Sequence, residues 1–151
     1  MRKTTFLSVM VAAALCVSVS ASAADISKLK CPVSGKAASK DHAVAYKDAE
    51  VYFCCENCPK AFKENTAKYA TRANLQLVAS GQYKEVKCPL TGKALNPETA
   101  TKVGGVSVEF CCNGCKGKIE ALKKKGDRLK LVFNDEAFAK GFEKVSAPEK
   151  K

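Results

Sequence analysis

The fold is decided by the stretch VYFCCENC at residues 51–58, which recurs as VEFCCNGC at residues 108–115. In both stretches a short run of β-branched and aromatic residues leads into two adjacent cysteines, and another cysteine follows three positions later. Apolar alternation before the cysteine pair predicts a strand, and we expect a helix to begin just after it. The junction between strand and helix therefore carries three thiols in each copy.

The repeat extends well beyond these two stretches, so the chain is a duplication. When Cys31 is aligned with Cys88, eight of the nine cysteines superimpose without a gap. Pro32 and Gly35 fall on Pro89 and Gly92 in the same alignment. The cysteines that superimpose are Cys31, Cys54, Cys55 and Cys58 on Cys88, Cys111, Cys112 and Cys115. We predict two domains, module one over residues 25–84 and module two over residues 85–145.

The first residues have the pattern of a secretory signal peptide. A short basic start precedes an apolar run over residues 6–19, and small residues follow at positions 21–23. The run is short for a bilayer span, and a small-x-small exit is typical of a cleavage site, so we expect residues 1–23 to be removed. Cys16 leaves with them. The remaining chain is predicted to be periplasmic or secreted, with no stable membrane insertion.

Composition excludes several classes of function. The chain has 151 residues, nine of them cysteine, and a formal net charge of +11. It is too short for a large catalytic barrel, and small chains rich in cysteine use it for disulfides or metals. Beyond the signal only Arg72 and Arg128 are arginines, and lysine lacks the planar fork that reads phosphates and guanine edges. We therefore expect no nucleic-acid partner and a solvated lysine surface.

The local patterns predict an α+β fold with one β-hairpin followed by a helix in each module. Cys-Pro-x-Ser/Thr-Gly-Lys at residues 31–36 and 88–93 predicts a tight turn, because proline and glycine fix its backbone. Hairpin strands are expected at 43–46 and 51–53, joined through residues 47–50, and 106–110 repeats the second strand after a Gly-Gly turn.

The helix patterns are less regular. Phe62, Thr66 and Tyr69 share a helical spacing, and Asn134 is typical of a helix cap. Residues 129–133 are compatible with either a strand or a helix. We expect helices after each cysteine pair, over residues 71–80 ending at Gly81, over 115–124 ending near Gly126, and from Asn134 through Phe142.

The spacing of the cysteines predicts a metal site in each module. A thiol on the turn and thiols at the strand-to-helix junction can converge across a hairpin. Thiolates suit soft ions such as Zn(II) and Cu(I), and we expect about one ion per module. The candidate ligands are Cys31, Cys54, Cys55, Cys58, Cys88, Cys111, Cys112 and Cys115. Phe53, Phe62, Phe110 and Ile119 are expected to form the small core beneath each hairpin.

The pattern C-x22-C-x3-C, with the flanking VYFCCENC run, resembles the TRASH and YHS metal-binding modules. The resemblance covers roughly half of each copy, the part that carries the cysteines. It implies small treble-clef-like or zinc-ribbon-like modules whose three spaced cysteines are the ligands, in proteins of heavy-metal sensing, trafficking and resistance. The usual YHS turn is Asp-Pro-Val-Cys-Gly, whereas here the cysteine comes three places earlier, as in TRASH modules. Neither turn has a second cysteine, so Cys55 or Cys112 is the candidate fourth ligand.

These patterns favour an exported tandem metal-binding protein, not an enzyme, that serves in the buffering, trafficking or resistance of soft metal ions and for which a protein partner in metal transfer is possible. Two alternatives stay open. An even cysteine count in an exported chain also suits a structural module held by zinc or disulfides, whose basic surface binds a partner. Cys55-x-x-Cys58 and Cys112-x-x-Cys115 at helix starts suit a thiol oxidoreductase. His42, the only histidine, is expected to be a surface residue.

Overall fold

The computed structural model describes residues 25–146, so the predicted signal peptide and the last five residues lie outside the described part of the chain. Within it, six strands form three two-stranded antiparallel sheets and are accompanied by five α-helices. The elements in order are β1 (Ser39–Tyr46), β2 (Ala49–Phe53), α1 (Asn57–Glu64), α2 (Thr66–Ala79), β3 (Tyr83–Glu85), β4 (Asn96–Val103), β5 (Val106–Phe110), α3 (Asn113–Glu120), α4 (Lys125–Phe133), α5 (Asp135–Gly141) and β6 (Phe142–Lys144).

The two predicted hairpins are confirmed, and each has a two-residue turn. β1 pairs with β2, and β4 pairs with β5. Lys47 and Asp48 have φ of 51° and 57°, and Gly104 and Gly105 have φ of 65° and 96°. Positive φ at both central residues is the type I′ geometry whose twist matches paired strands. The first turn is therefore shorter than the predicted 47–50.

The first three elements of the two modules correspond closely. In the alignment that places Cys31 on Cys88, β4 and β5 begin and end at the positions equivalent to those of β1 and β2. The helix α3 is displaced from the equivalent of α1 by a single position. The helices that follow differ, because α2 has 14 residues and α4 has nine. The duplication therefore preserves the part of each module that carries the cysteines.

Both modules share one hydrophobic core. The cluster of buried residues is continuous from Val51 and Phe53 in module one to Phe110 and Phe133 in module two. Asn74 of α2 joins the halves, since its Nδ2 donates to the carbonyl of Phe133 (2.9 Å). Leu77, from the same helix, is fully buried. Neither hairpin is therefore an isolated mini-domain.

Two predicted helix boundaries are wrong, and side-chain caps explain both. Phe62 lies in α1, whereas Thr66 and Tyr69 lie in α2, so the three residues do not belong to one helix. A new helix begins at Thr66 because the Asn65 side chain accepts from the Lys68 N–H (3.1 Å) and caps it. A new N-terminus needs such an acceptor for its free N–H groups. The predicted helix over 71–80 is thus the later part of α2.

In module two, α3 ends at Glu120 instead of continuing to residue 124. The guanidinium of Arg128 donates to the carbonyls of Leu122 (2.6 Å) and Glu120 (3.1 Å), which satisfies acceptors that a longer helix would bond internally. Gly126 consequently lies in the first turn of α4 and does not end a helix.

The last predicted helix is confirmed, and one sheet was not predicted. The Asn134 side chain accepts from the Ala137 N–H (2.9 Å) and caps α5. Residues 129–133 are helical, within α4. Phe142, expected in the helix, begins β6, which pairs antiparallel with β3. β3 itself runs across the predicted boundary at 84/85, and it pairs with a strand near the end of module two.

Candidate metal centre

Each module places one cysteine in a tight turn. The Cys31 N–H donates to the Lys36 carbonyl (2.8 Å), and the Gly35 N–H donates to the Cys31 carbonyl (2.8 Å). Gly35 has φ of 76°, a conformation that glycine adopts with little strain. Cys88 makes the corresponding bonds at 2.9 and 2.7 Å. Both turn cysteines are buried.

The other thiols come from the junction between strand and helix. Cys54 follows β2 directly, and Cys58 lies in the first turn of α1. The Cys58 N–H donates to the Cys55 carbonyl (3.2 Å), which turns the chain back towards Cys54. The same bond joins the Cys115 N–H to the Cys112 carbonyl (3.1 Å) in module two. The tight turn, the strand and the helix of each module therefore meet at one point.

In each module three Sγ atoms lie within 4.8 Å of one another; they belong to Cys31, Cys54 and Cys58, called triad one, and to Cys88, Cys111 and Cys115, called triad two. The sulfurs of Cys54 and Cys58 are 3.7 Å apart, as are those of Cys111 and Cys115. Ligands about 2.3 Å from a tetrahedral zinc ion are about 3.8 Å apart. The spacing of the triads is therefore compatible with a thiolate metal site.

The second cysteine of each pair lies outside its triad and is exposed. Cys55 Sγ is 3.8 Å from Cys54 Sγ and 3.4 Å from Cys58 Sγ. Cys112 Sγ is 3.8 Å from Cys111 Sγ. Of the eight predicted ligands, six are thus brought together in triads, and whether the other two bind an ion stays a prediction.

Hydrogen bonds favour a thiolate at the turn cysteines. Burial alone would raise the pKa of the Cys31 thiol, but the Ser34 hydroxyl and nearby backbone N–H groups outweigh it and lower the pKa to about 7. The same balance lowers the pKa of Cys88 to about 7, with the Thr91 hydroxyl in place of Ser34. A donor to sulfur stabilises the anion that binds a metal.

The helix cysteines of the triads are shifted the other way. Burial raises the pKa of Cys58, and its neighbouring thiols raise it further. The same causes raise the pKa of Cys115 to about 12. Several thiolates this close repel one another, and a cation among them would replace the protons and relieve the repulsion. The donor set therefore fits a soft cation.

The exposed cysteines carry an opposite shift. Contact with the Cys58 thiol lowers the pKa of Cys55, and the N–H groups at the start of α1 add to the effect. The pKa of Cys112 is lowered by the N–H of Cys115, then by the Cys111 thiol and the N–H of Gly114. These thiols ionise more readily than the buried thiols of Cys58 and Cys115 beside them.

Phenylalanines are buried beneath triad one, and a hydroxyl lies beside each triad. Phe53 and Phe62 are buried under triad one with ring centroids 5.3 Å apart. His42 belongs to neither triad. Two hydroxyls beside the triads were not predicted: Ser34 Oγ is 3.1 Å from Cys54 Sγ, and Thr91 Oγ1 is 3.3 Å from Cys111 Sγ. A hydroxyl at the same place in both turns was the available signal.

No protein-family model, curated protein or solved structure matches this chain. Across residues 25–146, none of the helices has both the length and the apolar character needed to cross a bilayer.

Proposed function

We propose that this chain is an exported tandem metal-binding protein. It holds soft heavy-metal ions, Zn(II) or Cu(I), at about one per module, and serves in their buffering, trafficking or resistance. The proposal rests on one observation, that three thiols within 4.8 Å of one another occur twice at equivalent positions. The resemblance to TRASH and YHS modules and the pattern of an export signal support it.

The donor set selects the class of ion. Sulfur ligands favour soft and borderline cations, whereas Mg²⁺ and Ca²⁺ take oxygen ligands. A structural zinc site is normally closed by four protein ligands, and a site with three leaves a position for exchange. Three thiolates per triad are also enough for Cu(I). The arrangement therefore suits cargo that is bound and released.

The alternative of a purely structural metal or disulfide has one observation in its favour, since Cys31 and Cys88 are buried at 1% and 0% exposure. Against it stands the continuous core that includes Phe53, Phe110 and Phe133. This core gives the chain a source of stability that zinc fingers lack, so we expect it to stay folded without metal. The sulfur separations of 3.4–3.8 Å are those of free thiols.

A thiol oxidoreductase is disfavoured by the architecture. The sheets of the described residues are two-stranded and antiparallel, whereas thioredoxin-like folds place Cys-x-x-Cys next to a βαβ unit. We therefore keep a binding protein, without catalysis of its own, as the proposal. Its partner would be a protein that accepts the ion.

The test is metal titration of the reduced protein with Zn(II) and with Cu(I). The wild type should take up about two equivalents, one per triad. Cys54→Ser should remove one equivalent, and Cys111→Ser, its counterpart in module two, should remove the other. Uptake that neither substitution changes would reject the ligand assignment. The metal-free protein should keep its circular dichroism spectrum, whereas unfolding on chelation would favour the structural alternative.

A further inference from the structure

Two sulfurs of triad one face a fourth sulfur on the solvent side. Cys54 and Cys58 share triad one with the buried Cys31, and both also contact the exposed Cys55 at 3.8 and 3.4 Å. The Cys55 sulfur is outside the group that contains Cys31. Cys54, Cys55 and Cys58 therefore form a second three-sulfur face, displaced towards solvent.

We infer that this outer face, made by Cys54, Cys55 and Cys58, is the exchange site through which the ion of triad one is handed to an incoming thiolate. The inference rests on the proposed function and adds its route of release. An ion held by the inner triad has only to exchange Cys31 for Cys55, while Cys54 and Cys58 remain bound.

The exchange step balances without an oxidant or reductant. The metal–sulfur bond of Cys31 breaks and its electron pair stays on sulfur, while the Cys55 sulfur forms a new bond with its own lone pair. The proton of the Cys55 thiol passes to water, and the freed Cys31 thiolate can take up another. A thiolate of the acceptor then displaces Cys55 and later Cys54 and Cys58 in the same way, so the oxidation state of the metal does not change.

Burial favours such a route for transfer. Cys31 and Cys58 are only 1% and 7% exposed, so two of the three ligands of triad one are largely covered in the folded chain. Cys55 is exposed, and Cys54 is partly exposed. An ion bound by the outer face is therefore more accessible to a second protein than an ion in the inner triad, two of whose three ligands are buried.

Module two has a related arrangement around Cys112. Cys112 is exposed, and its sulfur lies 3.8 Å from that of Cys111, which is 3.7 Å from that of Cys115. An exposed thiol beside a buried triad thus occurs in both copies. Cys112 is the matched control for Cys55, because each substitution should affect one ion and leave the other.

The experiment uses the full chain loaded with Zn(II), mixed in stopped flow with a chromogenic chelator in excess. Cys55→Ser should keep two equivalents of Zn(II) but slow the release of one of them about tenfold or more, which corresponds to a barrier higher by about 1.4 kcal/mol. Cys112→Ser should slow only the other equivalent, and the double variant should slow both. X-ray absorption should find the same number of sulfur ligands per ion in all variants.

Two results would overturn the outer site. One is release from Cys55→Ser at the wild-type rate, which would show that the exposed thiol takes no part in exchange. The other is the loss of an equivalent or of a sulfur ligand in Cys55→Ser, which would make Cys55 a resident ligand. A wild type that binds no Zn(II) or Cu(I) refutes the proposed function itself, so the two failures are distinguishable.

Discussion

Glu85→Gln should stabilise the protein at alkaline pH and leave its stability unchanged in acid. The Glu85 carboxyl group lies beside the outer edge of β5, where one oxygen accepts from the Glu109 N–H (2.8 Å). Its other oxygen, Oε1, is buried without a hydrogen-bond partner. In module one, Gln76 binds the equivalent edge at Tyr52, accepting from its N–H (2.7 Å) and donating to its carbonyl (2.8 Å). A protonated Glu85, like glutamine, has the donor that the carboxylate lacks.

Burial raises the pKa of Glu85 from its ordinary 4.5 to about 7. The folded state therefore binds more protons than the unfolded state between these values, so stability falls as pH rises through this window. A shift of this size corresponds to at most about 3 kcal/mol, and partial exposure of the side chain reduces it to about 1–2 kcal/mol. The stabilising contribution of the protonated group is complete below pH 4.5 and is lost above about pH 7.

Urea unfolding of the reduced, metal-free protein at several pH values measures this difference. Glu85→Gln should exceed the wild type by about 1–2 kcal/mol at pH 8 and match it within about 0.5 kcal/mol near pH 4.5. Glu98→Gln, which removes the same charge from an exposed position, controls for net charge. Parallel pH–stability curves for the wild type and Glu85→Gln would refute the reasoning.

Three further predictions concern binding and packing. Metal affinity should fall about tenfold per pH unit for each thiol proton that the ion displaces. Cys115, whose pKa is raised to about 12, contributes throughout the neutral range, and Cys31 and Cys88, whose pKa values are lowered to about 7, add to the slope only below about pH 7. Competition titrations that give the same affinity at pH 6 and pH 8 would contradict this. Asn74→Ala should lower the free energy of unfolding in urea by about 1–3 kcal/mol, because it removes the donor to the buried Phe133 carbonyl. A decrease below about 0.5 kcal/mol would show that Asn74 does not hold the two modules together. In thermal unfolding, Gly104→Ala should destabilise the protein by about 1 kcal/mol more than Gly105→Ala. Only a Cβ at position 104 would meet leucine side chains, at 2.6 Å. Equal losses of stability in the two variants would mean that the whole cost comes from the positive φ that both glycines share.

The parts of the fold that could be predicted are those set by local patterns. The turn at Cys31, the hairpin strand ending at Phe53 and the junction at Cys54 follow from residues close together in sequence, and the duplication repeats each signal. The helix ends could not be predicted in the same way. The cap at Asn65 competes with a longer helical spacing, and Arg128 reaches back along the chain to Glu120.

Pairings between distant segments were also missed. β3 and β6 have three residues each, too few to show an alternating pattern, and Tyr83 meets Lys144 only because the core brings them together. Within the candidate site, the spacing indicated which cysteines converge but not which one of each adjacent pair turns outward. That choice depends on the backbone turn at Cys55, which the sequence does not specify.

The central claim is that each triad holds one soft cation through three sulfurs, and X-ray absorption of the Zn(II)-loaded protein tests it most directly. The account predicts about three sulfur ligands at about 2.3 Å per zinc ion, with one lighter ligand at the open position. A zinc shell made mainly of oxygen and nitrogen atoms would contradict it.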